Sequence, residues 1–219
     1  MIYKPNFERA YIMANSILVS SNVLEEFPVK VKKIVEDDSN IKCCSYKKAR
    51  KYEGLNIENF GSKSAVLIEQ DGRKIIFYNE SELNERIRFS ILHEYGHYKL
   101  SHNLDTKDEE EYKAYELETN YFAAQLLMPE QLIREIQGRG IRITKEVLID
   151  LFGVSNEAAE KRLITLGKTL KLSDDERLFD DIIVNKYKDW INIKVPSRNS
   201  MDLFLDDFER QRERETWLY

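Results

Sequence analysis

The sequence predicts an α+β fold that is mostly α: a small antiparallel sheet packed on a helix bearing an H-E-x-x-H pattern and on a second helix bearing a further ligand. A helix-turn-helix-like helical subdomain follows. Three observations predict this. Two short apolar runs joined by Asp-Gly signal a hairpin, two long segments with helical periodicity lie between residues 82 and 128, and a helix, a tight Gly-Val-Ser turn and another helix begin at Thr144.

Composition sets the frame. At 219 residues the chain is long enough for one sizeable core, or for one domain with a helical appendage. A hydrophobic share of 42% beside 33% charged residues is that of a soluble domain, and no apolar run approaches the roughly 20 residues of a membrane span. The N-terminal stretch carries charge inside its apolar part and lacks the pattern of a secretory signal, so the expected compartment is the cytoplasm. Cys43 and Cys44 are neighbours, which fits disulfide geometry poorly, and they lack the two-to-four-residue spacing of zinc ligands; they read as reduced thiols. A net charge of −5 argues against a dedicated nucleic-acid binder, though not against a locally basic face.

In chain order, residues 4–20 read as a helix with Phe7, Ala10, Tyr11, Ile17 and Leu18 on one stripe. Runs 65–68 and 75–78 are strands joined through Asp71-Gly72. A helix over 82–100 has an Asn79/Glu82 capping box and a core stripe of Ile87, Ile91 and Leu92. A second helix over 107–128 is stopped by Pro129, which opens a short helix over 130–137 that ends at Gly138 and Gly140. Thr144 and Ser155 are N-caps for the two helices of 144–168. Residues 172–219 alternate acidic clusters (Asp174, Asp175, Asp180, Asp181) with aromatics and break at Pro196-Ser197. The expected units are 1–140 around the H-E-x-x-H helix, 141–171 as the helix-turn-helix-like segment, and 172–219 as a C-terminal extension of unassigned role.

All three histidines lie in "RFSILHEYGHYKLSH", residues 88–102. His93 and His97 are four apart, about 40° around a helix and about 6 Å along it, so both imidazoles can converge on one metal ion. Glu94 lies about 100° away, on the flank where a carboxylate can deprotonate water without ligating the metal. The bland alternative is a helix with two unremarkable histidines and a surface glutamate, and a third ligand decides between them. His102 lies nine positions after His93, about 180° round a continuous helix, and reads as a helix-end residue suited to the dipole. A metzincin-type site is excluded because Leu100 and Asn103 stand where Gly and His are needed.

The third ligand is therefore sought in "YELETNYFAAQLLMP". Glu116 and Glu118 are about 200° apart on a helix, so one of them faces the metal. Asn120 lies one turn after Glu116 and can hydrogen-bond a ligand histidine, which favours Glu116; Glu118 would then face solvent or pair with a basic side chain. Phe122, Ala123, Leu126 and Leu127 would pack this helix on the first. Gly96 keeps one side of the metal helix bare, at a cost of about 1 kcal/mol relative to Ala, which implies an element passing close by.

These stretches, with "LFGVSNEAAEKRLITLG", resemble the ImmA/IrrE metallopeptidases of bacteria, phages and integrative elements, over roughly residues 60–168. The main departure is Thr119, where the family commonly has Ala. The resemblance implies a zinc-dependent gluzincin-type peptidase in which His93, His97 and Glu116 hold the metal and Glu94 is the general base. It also implies a helix-turn-helix repressor as substrate, whose site-specific cleavage releases a phage, mobile-element or stress regulon. Residues 1–50 and 172–219 match nothing in the family, so substrate selectivity is expected there. The group that stabilises the oxyanion stays open among Tyr95, Tyr115, Tyr121 and His102.

Two rival readings stand beside this one. The first is a DNA-binding regulator using residues 144–168; segment 131–171 holds eight Lys/Arg against five Asp/Glu, a weak surplus. The second keeps the fold without catalysis, as a repressor-binding antirepressor or a toxin-antitoxin component.

Overall fold

Ten helices and a three-stranded sheet form among the residues that the computed structural model describes, which are 3–22, 24–53, 62–70, 72–166 and 178–196. Helix α1 (Phe7–Ser20) starts where the Asn6 side chain accepts the Arg9 backbone N–H at 2.9 Å, and its buried face is Ala10, Tyr11, Ala14, Ile17 and Leu18. A segment without legible periodicity then folds into α2 (Val31–Ser39), β1 (Lys42–Ser45) and α3 (Tyr46–Glu53).

Strands β2 (Ala65–Gln70) and β3 (Arg73–Tyr78) form the expected antiparallel hairpin, with Ala65 opposite Tyr78 and Gly72 at φ +72 in the turn; Asp71 lies outside the described residues. The sheet is not purely antiparallel, because β1 adds to β3 in parallel, Lys42 opposite Ile75, giving the order β1-β3-β2. Ser45 at the end of β1 and Ala65 at the start of β2 flank Tyr78 on either side, so β2 itself runs the chain back and β3 then lies parallel to β1. Alternation along the strands serves two layers. Ala65, Leu67, Ile76 and Tyr78 join the main core, while Val66, Ile68, Ile75 and Phe77 pack on Tyr46 and Ala49 of α3.

Helix α4 (Asn84–Lys99) begins two residues later than expected and has no side-chain cap. Asn79 is used instead to close the turn after β3, accepting the Ser81 N–H at 3.0 Å, while Glu82 accepts the Ser64 hydroxyl at 2.8 Å. Helix α5 (Glu109–Leu127) is capped by Asp108, which accepts the N–H groups of Glu110 and Glu111, and three acids in its first turn complement the helix dipole. It lies between α1 and α4, with Phe122, Ala123, Leu126 and Leu127 buried as expected. A Cβ on Gly96 would stand 3.0 Å from Phe122 Cδ1 and 3.3 Å from Thr119 Cγ2, so the bare glycine sets how closely α4 and α5 approach.

Helix α6 (Glu130–Gly138) follows, with Pro129 at its N-cap rather than as its first residue. Helices α7 (Lys145–Phe152) and α8 (Asn156–Leu166) are the expected pair: Thr144 Oγ1 accepts the Val147 N–H and Ser155 Oγ the Ala158 N–H. Gly153 ends α7 at φ +59, and a Cβ there would be 2.6 Å from Pro28 Cγ. The pair is tied to the rest of the molecule. Arg88 of α4 donates to the carbonyls of Phe152 and Gly153, and the fully buried Arg162 of α8 donates to the Met128 carbonyl at 3.0 Å and to Gln125.

Helices α9 (Leu178–Lys186) and α10 (Lys188–Lys194) close the fold. Tyr187 and Trp190 join Phe27 and Phe152 in an aromatic cluster with ring centroids 5.1–5.6 Å apart. The helices from α1 to α10, α3 excepted, share one hydrophobic core. Asp180 accepts hydrogen bonds from Tyr11 and Gln131, whereas Asp174, Asp175 and Ser197 lie outside the described residues. Among the described residues no helix is long and apolar enough to cross a membrane.

Candidate metal centre

Helical spacing brings His93 and His97 together on α4 as predicted, with their Nε2 atoms 3.1 Å apart. Glu116, projecting from α5, places Oε2 3.5 Å from His93 Nε2 and Oε1 3.3 Å from His97 Nε2. Among the described residues these three form a group that could hold a metal ion, with one ligand atom from each lying within 4.8 Å of the others. The donor set suits a metal: two imidazole nitrogens and a carboxylate face one point, the histidines being engaged from behind through Nδ1. His93 Nδ1 lies 3.1 Å from Asn120 Oδ1, the contact expected of Asn120, and His97 Nδ1 lies 3.0 Å from His102 Nδ1. The site is closed on one side and open on the other, since the His97 side chain is 5% exposed and that of Glu116 34%.

Electrostatics follow from this crowding. The two imidazoles hold the Glu116 carboxyl well below the usual carboxylate range. Burial pulls His93 down, but Glu116, Glu94 and Asn120 outweigh it and raise its pKa above the ordinary value. Burial dominates at His97, whose pKa is lowered. Glu94 stands beside the group with one carboxylate oxygen accepting the Leu67 N–H of β2 at 3.1 Å, and burial pushes its pKa up. A carboxyl raised in this way is a better proton acceptor near neutrality than an exposed one.

Glu118 does not face solvent. It is buried and meets the basic side chain of His102, Oε2 to Nε2 at 3.0 Å, while its Oε1 accepts the Asn6 N–H at 2.8 Å. His102 departs from the continuous-helix projection because Ser101, at φ +51, ends the helix and turns the ring back under His97.

The tyrosines named for the oxyanion are engaged elsewhere. Tyr95 is fully buried and donates to Asp38, Tyr115 donates to Glu111 at 2.7 Å and has its pKa pushed up to about 12, and Tyr121 is buried against Arg162 and Phe7. Sequence reasoning missed Tyr112. It is exposed, lies one turn before Glu116, and has its pKa raised by partial desolvation and by the carboxylates of Glu116 and Glu94. The four-residue spacing from Glu116 was the available signal. Cys43 and Cys44 on β1 are reduced thiols, Cys44 donating to the Ser45 carbonyl, and burial pushes Cys43 up to about 12, which leaves it protonated and a poor metal ligand.

An H-E-x-x-H helix facing a carboxylate on the next helix, beside a small sheet, defines a metallopeptidase-type site. The family described as the IrrE N-terminal-like domain, a peptidase family, matches residues 52–164, and the chain belongs to it. No curated protein matches the chain at a significant level.

Proposed function

We propose that the protein is a zinc-dependent endopeptidase that cleaves a helix-turn-helix repressor at a specific site. The observation that carries this reading is the position of Glu94, an anchored carboxylate beside two histidines and a third acidic ligand. His93, His97 and Glu116 would hold the metal. Zinc bound there would lower the pKa of water toward about 7 and polarise the scissile carbonyl. Glu94 takes the proton of the attacking water and returns it to the leaving amine. Its bond to the Leu67 N–H fixes the carboxylate against the edge of β2, so it does not have to reorganise as the proton moves.

The edge of β2 supports a peptide substrate. The Asn79 N–H bonds to the Ser64 carbonyl, which places the N–H and C=O of residues 65, 67 and 69 on the side away from β3. An extended segment would pair there through residues 65 and 69 and the Leu67 carbonyl, beside Glu94, which takes the Leu67 N–H. Tyr112, exposed one turn before Glu116, is the candidate donor to a developing oxyanion. The repressor as substrate rests on the family resemblance.

The DNA-reading alternative has less support. Arg162, a basic residue of α8, is buried, and the exposed positions of that helix include Glu157, Glu160 and Lys161, of which Glu157 and Lys161 pair with each other at 2.6 Å. A docking role for α7 and α8 is the better fit. The test is incubation of the purified protein with the repressor encoded beside it, with and without a chelator. A discrete fragment that disappears with chelator is expected; an intact repressor in both tubes would refute the proposal.

A further inference from the structure

We propose that His102 and Glu118 are positioning residues that fix the tautomer and orientation of His97 through a relay reaching back to the start of α1. The inference rests on the reading of His93, His97 and Glu116 as a metal centre. The contacts form an unbroken series: His97 Nδ1 to His102 Nδ1 at 3.0 Å, His102 Nε2 to Glu118 Oε2 at 3.0 Å, and the Asn6 N–H to Glu118 Oε1 at 2.8 Å. The inner part is sealed from water, with the His102 and Glu118 side chains 1% and 7% exposed. Tyr115 stacks on the His102 ring at 4.1 Å and 13°, which holds the ring in plane.

Proton placement gives the series its direction. A His97 that presents its Nε2 lone pair to a metal carries its proton on Nδ1. That N–H donates to His102 Nδ1, which must be the bare nitrogen of a neutral imidazole. The remaining His102 proton then sits on Nε2 and donates to Glu118. The carboxylate, an acceptor at both oxygens, takes this bond and the one from Asn6. Every donor meets an acceptor, and the opposite tautomer of His102 would set two N–H groups against each other. His93 differs in that its Nδ1 meets the Asn120 side-chain oxygen. Asn6 is also the N-cap of α1, so seating that helix and orienting the metal ligand depend on the same carboxylate.

The test is Glu118→Gln, which keeps the shape of the side chain but not its two acceptors. One orientation of the amide sets an NH2 against the Asn6 N–H and the other sets it against His102. Zinc affinity, measured by competition with a chromophoric chelator, should fall roughly 10–100-fold. Imidazole 15N spectra of the zinc-loaded protein should show His102 losing its single Nε2–H tautomer. His102→Phe, which preserves stacking on Tyr115, should lose affinity to a similar degree and covers the case in which Glu118→Gln folds poorly. Wild-type affinity in either folded variant, or an unchanged His102 tautomer in Glu118→Gln, would overturn the relay while leaving the metal centre intact. A wild-type protein that takes up no zinc would remove the metal centre and the relay together.

Discussion

Replacing Gly96 by Ala probes the distance between the two ligand-bearing helices. The added Cβ would lie 3.0 Å from Phe122 Cδ1 and 3.3 Å from Thr119 Cγ2, and both neighbours are fully buried, so neither can swing into solvent. Overpacking of this kind costs about 1–3 kcal/mol. Removing a glycine from a helix interior returns about 1 kcal/mol. The difference is a net loss between about zero and 2 kcal/mol, relieved by α5 moving away from α4. Such a movement carries Glu116, three residues before Thr119, away from His93 and His97. Urea denaturation should therefore show a small loss of stability, and chelator competition should show weakened zinc binding. A variant stabilised by the full helix-propensity gain, with unchanged zinc affinity, would refute the idea that Gly96 sets the helix spacing.

Zinc binding should weaken as pH falls, and sooner than for an ordinary histidine site. His93 has its pKa raised, its protonated imidazole cannot donate to a metal, and affinity is therefore lost as pH drops through that raised value. Affinity that stays flat across the histidine range in a pH series of chelator competition would contradict this. Arg162→Leu should destabilise the fold by roughly 2–4 kcal/mol, since charge-assisted bonds to the Met128 carbonyl and Gln125 are worth about 1.5–3 kcal/mol each and part is offset by not burying the guanidinium. Thermal denaturation would reveal it, and an unchanged midpoint would mean that α8 does not depend on this anchor.

The ligand-bearing half of the fold was legible because its signals are local. Four-residue spacing joins His93 to His97 and Glu116 to Asn120, and the bareness of Gly96 announces a close neighbouring element, which proves to be α5. The sheet was half legible. The hairpin shows in its alternation, but β1 is four residues long, and its parallel pairing with β3 is a non-local choice that no short pattern encodes. Nor do α2 and α3 show in the sequence: their apolar positions are few, and Val31, Ile34 and Val35 acquire meaning only once the core they face exists. His102 lies at the helix end as expected, but the direction of its ring is not legible for a definable reason. Angular projection assumes an unbroken helix, and a single residue in the left-handed region, Ser101, reverses the direction of the next side chain. Of the two fates open to Glu118, solvent or a basic partner, the second holds, and which partner it takes becomes legible only when the turned-back His102 and the Asn6 N–H are placed against it.

The most direct test of the account compares wild-type and Glu94→Gln proteins, each loaded with zinc and each quantified for metal, in digestion of the neighbouring repressor followed by mass mapping of the products. Both proteins should carry one zinc per chain and the wild type alone should make a single cut, because the substitution removes the proton acceptor and leaves His93, His97 and Glu116 in place. The same fragment released at the same rate by both proteins would contradict it.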